Sequence, residues 1–197
     1  MREKLAENRV VVSGDFFDKV GAFSRLLREW NSVHNLSGAK DDRAIENHIF
    51  DSVFPLSFLG EFLDDFESAI DIGSGAGFPA LILAMAKPSA KFTLVEPIAK
   101  KASFLQFAAI SIGIKNAIVI DGRIEQVAIA KYDLITSRAV SDAKTIYDLA
   151  LPFMDSSTIL LLYKGKNTAK EAESIGAQIV SAPHAEYLVK RGEKWER

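Results

Sequence analysis

From Phe16 to Trp30 the apolar positions Phe16, Val20, Phe23, Leu26, Leu27 and Trp30 recur in steps of three and four, with charged residues between them. That spacing predicts an amphipathic helix with one buried face. A polar stretch from Asn35 to Arg43 ends it. A second stripe, Ile45, Ile49, Val53 and Leu56, predicts a helix over Ala44 to Leu59 that Pro55 kinks or divides. Residues 1–65 thus read as a helical extension, with a boundary near Asp65 to Ser68, and residues 66–197 as the main domain.

Beyond that boundary the period changes. Short runs rich in β-branched residues predict strands at Ala69–Ile72, Lys91–Val95, Ala117–Ile120, Tyr132–Thr136 and Thr158–Tyr163. Between and after them, helices are predicted at Pro79–Ala86, Ala99–Ile112, Arg123–Ala130, Asp142–Leu151 and Ala169–Ser174. Such alternation means right-handed crossovers and a mostly parallel α/β sheet covered on both faces. Two last strand-like pieces, Gln178–Ala182 and Glu186–Lys190, follow Gly176 with no helix between them and predict an antiparallel edge hairpin, making about seven strands.

Composition narrows the classes. With 48% apolar and 25% charged residues, global disorder and fibrous repeats are excluded. The absence of cysteine removes disulfide frameworks, thiolate zinc sites and cysteine nucleophiles, and points to a reducing, cytoplasmic setting. The longest apolar run, Phe78 to Ala86, is too short to span a bilayer, and the charged N-terminus lacks a signal core. His34, His48 and His184 are scattered without ligand spacing, so no metal is expected; no Gly-x-Ser-x-Gly elbow follows a strand.

Net charge is −2, but its distribution is uneven. Residues 1–68 carry 8 Lys and Arg against 13 Asp and Glu, whereas residues 69–197 carry 16 against 13. A polyanion would therefore meet mainly the second part.

The most informative stretch is DIGSGAGFP, Asp71 to Pro79. A strand running into Gly73, Gly75 and Gly77 and then into a helix predicts a tight turn at a strand's carboxyl end, with free N–H groups open to a ligand. The Gly-x-Gly-x-Gly spacing differs from the Gly-x-Gly-x-x-Gly of pyrophosphate binders, and with Asp71 it suits a ligand that presents an amino acid and a nucleoside. Glu96 lies nineteen residues after Gly77 at the end of the next strand, where a carboxylate can accept both ribose hydroxyls. An NAD-dependent oxidoreductase would use such a residue too, and a glycine turn with no ligand is the bland alternative. Further strand ends carry Arg123, Arg138, Lys164 and Lys166, with Lys100 and Lys101 beginning the helix after the second strand. A cationic rim around a nucleoside pocket suits a phosphate-rich substrate.

Here the residues carry a resemblance. WNSVHNLSG at Trp30–Gly38, HIFDS at His48–Ser52, DIGSGAGFP, KKASFL at Lys100–Leu105, GRIE at Gly122–Glu125, SRAV at Ser137–Val140 and KG at Lys164–Gly165 resemble, in order, the glucose-inhibited division protein B family of small-subunit ribosomal RNA guanine-N7 methyltransferases. The resemblance implies a class I methyltransferase, Rossmann-like sheet and S-adenosylmethionine as cofactor. It implies Gly73 and Phe78 against the methionine and adenosine moieties, Glu96 at the ribose, Ile124 and Glu125 at the adenine, Arg138 on the cofactor or substrate side, and His48 and Asp51 in the substrate cleft. Ser37 stands where the family commonly has threonine, Val140 where an aromatic often follows, and nothing is carried over after Lys170. The implied partner is small-subunit RNA within the ribosomal subunit or an assembly intermediate, acted on by a monomer.

Guanine N7 has a free lone pair, so methylation there needs no general base and catalysis can rest on positioning. Arg138 is then expected to grip a carboxylate or phosphate, not the purine. Trp30 is expected to anchor its helix to the sheet and Asn31 to tie the following turn. Methylation of a small molecule, or cofactor binding without turnover, are the other readings.

Overall fold

The computed structural model describes residues 1–166 and 168–193. Three helices come first, α1 (Arg2–Glu7), α2 (Phe16–His34) and α3 (Asp42–Val53); α1 carries a single buried residue, Leu5, and has no stripe from which to predict it. α2 ends where Asn35 turns left-handed at φ +49°, a conformation asparagine tolerates. Asn31 does tie the turn: its amide donates to the carbonyls of Ser37 (3.0 Å) and Ala39 (3.1 Å) and accepts from the Ser37 N–H (2.8 Å). Asp41 caps α3 through the Ala44 N–H at 2.7 Å. Pro55 then divides the predicted helix, which ends at Val53 and continues as 3-10 turns at Phe54–Ser57 and Leu59–Glu61.

The sheet comprises β1 (Ser68–Ile72), β2 (Lys91–Glu96), β3 (Ala117–Asp121), β4 (Leu134–Arg138), β5 (Ile159–Lys164), β6 (Gln178–Ser181) and β7 (Glu186–Arg191). Helices α4 (Ala80–Ala86), α5 (Ala99–Ile112), α6 (Ala143–Ala150) and α7 (Ala169–Ile175) connect them. Strand order is β3-β2-β1-β4-β5-β7-β6, the first five parallel. β7 returns antiparallel beside β5 and leaves β6 at the edge, as the hairpin expected from the sequence. Because order reverses between β1 and β4, a crevice opens at their carboxyl ends.

Alternation along the strands feeds two cores. Ile70, Ile72, Val95, Ile135 and Leu160 pack with Ile146, Ala150 and Ile175 of α6 and α7. Ala69, Phe92, Leu94, Leu134 and Leu161 share the other core with Phe16, Phe23, Leu27 and Ile45 of α2 and α3 and with Leu105 of α5. The helical segment thus buries its stripes in the same core as one sheet face. Trp30 is an exception to expectation: its ring lies against Phe104 (5.5 Å) and Phe107 (5.4 Å), so it anchors α2 to α5 and not to the sheet. The helix expected over Arg123–Ala130 is a single 3-10 turn, Ile124–Gln126. Only Ile124 in that stretch is buried, which leaves no apolar stripe to hold further turns. No helix among the described residues is long and apolar enough to cross a membrane.

Candidate active site

At the carboxyl ends of β1 and β4 a cavity of about 420 Å³ is lined by Gly73, Gly75, Phe78, Glu96, Arg138 and His48, among others. Its size lies in the usual range for small-ligand sites. A larger cavity, about 490 Å³, opens near Ser13, Phe66 and Lys87 at the amino ends of the strands, away from the glycine loop.

The loop is bonded within itself. Gly73 and Ser74 N–H groups both donate to the Val95 carbonyl, the Gly77 N–H to the Ser74 carbonyl, and the Gly75 N–H to Glu96 Oε2 at 2.7 Å. The expectation of free N–H groups is therefore corrected for these four donors, which are spent on the turn. Glycine is required for the backbone shape. Gly73 sits at φ +77°, and a Cβ there would lie 2.4 Å from Val140 Cγ2. Across the cavity, Ala139 holds φ +54°, a left-handed strain of the kind that collects at functional sites.

Glu96 is 3% exposed and lines the cavity. Its second oxygen, Oε1, accepts the Ile98 N–H at 2.9 Å. Each carboxylate oxygen retains a lone pair for a ligand hydroxyl. Asp71 lies behind the loop, fully buried, with Thr136 donating to Oδ1 at 2.6 Å and with Oδ2 unpartnered. Burial pushes its carboxyl up to about 6, against the opposing hydrogen bond from Thr136.

Arg138 projects from β4 into the cavity, with 16% of its side chain exposed. It does meet a carboxylate: Nη1 is 3.3 Å from Asp51 Oδ2, and the guanidinium lies 4.9 Å from the Phe78 ring centre. Burial lowers its pKa from the usual arginine value, and Asp51 counters that. His48, one turn before Asp51 on α3, faces the same ring at 5.3 Å. Burial, then the Arg138 charge, lowers the imidazole pKa, which favours the neutral ring at neutral pH. Asp51 lies in the wall of an adjoining cavity of about 380 Å³, with Lys4, Asn47, Lys164 and His184.

Other expected residues lie farther out. Ile124 is buried beneath the corner and Glu125 is exposed; neither lines the cavity, although β3 pairs Asp121 with Glu96 beside them. Of the expected rim, Lys101 lines the cavity, whereas Lys100 donates to the His34 carbonyl at 3.0 Å. Lys164 is held by Glu171 (2.7 Å) and the Ser141 carbonyl (3.0 Å), and Arg123 and Lys166 are exposed. The sequence reading missed Tyr187 and His184, which reach Asp51 from the C-terminal hairpin. It also missed Leu36 and Gly38, which line the cavity from the WNSVHNLSG turn.

Comparison with known proteins bears on fold and family. The chain resembles, at 14% identity and TM-score 0.66, cofactor-bound Rv0187 from MTB over 88% of this chain and 91% of that one. It resembles a mutant of MtNAS in complex with S-adenosylmethionine at 15% identity and TM-score 0.58, over 88% and 73%. At such identities the likeness is one of fold. Sequence relatives are nearer. The ribosomal RNA small subunit methyltransferase G of Wolinella succinogenes is 38% identical over 98% of each chain. The protein of that name from Helicobacter hepaticus is 44% identical over 79% of this chain and 84% of its own, and that of Aliarcobacter butzleri 36% over 98% and 99%. The family model GidB, rRNA small subunit methyltransferase G, matches residues 17–195, and the chain belongs to that family.

Proposed function

We propose that this enzyme transfers a methyl group from S-adenosylmethionine to N7 of one guanine in small-subunit ribosomal RNA. The observation that carries the reading is the cleft itself: a closed glycine turn, a buried Glu96 and a carboxylate-paired Arg138 facing one cavity, in a chain of this family.

The residues present fit the cofactor. A Cβ at Gly73 would fill the space against Val140, so the turn is shaped to keep its backbone close to the cavity. Glu96 would take the ribose hydroxyls, and Gly73, Gly75 and Phe78 would border the rest, with Asp71 and Gly77 fixing the loop behind. Ile124 and Glu125 would reach the adenine edge from the neighbouring corner. With four N–H groups of the loop committed to the turn, fewer remain for a diphosphate, which favours this cofactor over a nicotinamide dinucleotide. Bound there, S-adenosylmethionine supplies an electrophilic methyl on a sulfonium.

No side chain need take a proton from guanine N7. A cation beside that nitrogen would oppose the arriving positive charge; Asp51 offsets the charge of Arg138. His48, partly exposed in the cavity wall, offers a flat face against which a splayed-out base can lie. RNA of a folded subunit would follow Lys101, Arg123, Lys100, Lys164 and Lys166, of which Lys164 is the most constrained. Residues 1–65 act as a helical extension that brings His48 and Asp51 to the catalytic unit of 66–197. The substrate is the ribosomal subunit or an assembly intermediate, the enzyme a monomer of the cytoplasm. Calorimetric titration tests the cofactor half of the reading: saturable binding of S-adenosylmethionine and none of NAD is expected, and the reverse would discard it.

A further inference from the structure

Tyr187 touches the site through one intermediary, Asp51. Its ring is fully buried among Tyr163 (5.4 Å), Phe58 (5.5 Å) and Phe54 (5.7 Å), so the hydroxyl has a fixed position. That hydroxyl donates to Asp51 Oδ1 at 2.7 Å, while Asp51 Oδ2 faces Arg138. The two carboxylate oxygens therefore divide their work between the hairpin and the cleft.

Sheet register explains the alignment. Arg138 on β4 pairs with Tyr163 on β5, and Tyr163 pairs with Tyr187 on β7, so the three stand abreast across the sheet. Tyr163 donates to the Ser52 carbonyl at 2.8 Å and Tyr187 to the carboxylate of Asp51, so two tyrosines grip consecutive residues of α3. His184 Nε2 lies 3.2 Å from the Tyr187 hydroxyl and 3.5 Å from Asp51 Oδ1, closing the group on its half-exposed side. A carboxylate only accepts, so the phenol must donate to it and can accept from His184 in turn. Burial and the Asp51 charge raise the Tyr187 pKa, which keeps the donor proton in place.

Building on the proposed function, we infer that Tyr187 is a positioning residue for methyl transfer: it orients Asp51, and Asp51 orients Arg138 in the cleft. Loss of a hydrogen bond to a charged group then costs about tenfold in turnover. Loss of this hydroxyl leaves the ring and its packing intact in Tyr187→Phe.

The test is a double-mutant cycle on labelled methyl transfer to small ribosomal subunits at saturating S-adenosylmethionine. Tyr187→Phe and Asp51→Asn are each expected to lower kcat about tenfold, with the double variant no slower than Asp51→Asn alone. Thermal melting of each variant accompanies the rates, because a purely structural tyrosine would lower the melting midpoint and multiply with Asp51→Asn. Wild-type turnover in Tyr187→Phe, or multiplying losses, overturns the inference. If Tyr187→Phe does not fold, Asp51→Asn is the second arm, and wild-type turnover there overturns it equally. Failure of the wild-type protein to methylate any subunit RNA instead removes the proposed function, and this inference with it.

Discussion

Val140 closes over Gly73: the space that a Cβ on that glycine would need is held by the valine's Cγ2, at 2.4 Å. Backbone at φ +77° adds about 1–2 kcal/mol for any side chain. Gly73→Ala is therefore expected to lose cofactor binding with a modest fall in melting midpoint. Adding Val140→Ala should restore part of the binding, since it removes the clash and leaves only the strain. Isothermal titration of both variants checks this, and unchanged affinity in Gly73→Ala would show that the loop does not border the cofactor.

Glu96 joins two roles that separate substitutions can split. Glu96→Ala orphans the Gly75 and Ile98 N–H groups, at about 1–3 kcal/mol each if they stay dry. Glu96→Gln keeps one acceptor, so it should melt closer to wild type while weakening S-adenosylmethionine at least as much as one charged hydrogen bond, about tenfold. Cofactor affinity equal to wild type in the glutamine variant would reduce Glu96 to a brace for the loop.

Asp71 gives a pH signature. Its carboxyl is raised from 3.8 to about 6 by burial. The folded state therefore holds a proton that the unfolded state has released between those values, and stability contributed by this group falls as pH rises through that window. The loss levels off above pH 6 at roughly 3 kcal/mol. In urea unfolding, the stability of Asp71→Asn relative to wild type should increase from pH 4 to about pH 6.5 and then stay constant. A difference independent of pH would contradict the burial of a titrating carboxylate.

His48 and Asp51 stand on the substrate side of the cleft in the proposed function. Alanine at either position is expected to cut RNA methylation while leaving S-adenosylmethionine affinity unchanged. Parallel titration and filter-bound methyl counts separate the two, and lost cofactor affinity would move these residues to the cofactor side.

Much of the framework was legible because periodicity reports burial locally. The strand and helix alternation after Ser68, the division at Pro55 and the left-handed glycines all follow from short-range rules, and the structure has them. What escaped depends on contacts distant in sequence. Nothing near Lys164 announces that Glu171 and the Ser141 carbonyl hold its ammonium. Likewise the closed hydrogen bonding of the glycine loop depends on Val95 and Glu96, some twenty residues on. Tyr187 looks like any strand aromatic until register places it two strands from Arg138. A carboxylate partner for Arg138 was foreseeable on charge grounds, since a cation beside the accepting purine would be unfavourable; Asp51 is that partner.

Direct transfer decides the matter. Labelled S-adenosylmethionine would be incubated with this protein and small ribosomal subunits from a strain lacking its own enzyme, and the modified nucleotide mapped by mass spectrometry. One 7-methylguanosine in the small-subunit RNA is the expected result. No incorporation despite bound cofactor, or methyl on another atom or another RNA, would contradict it.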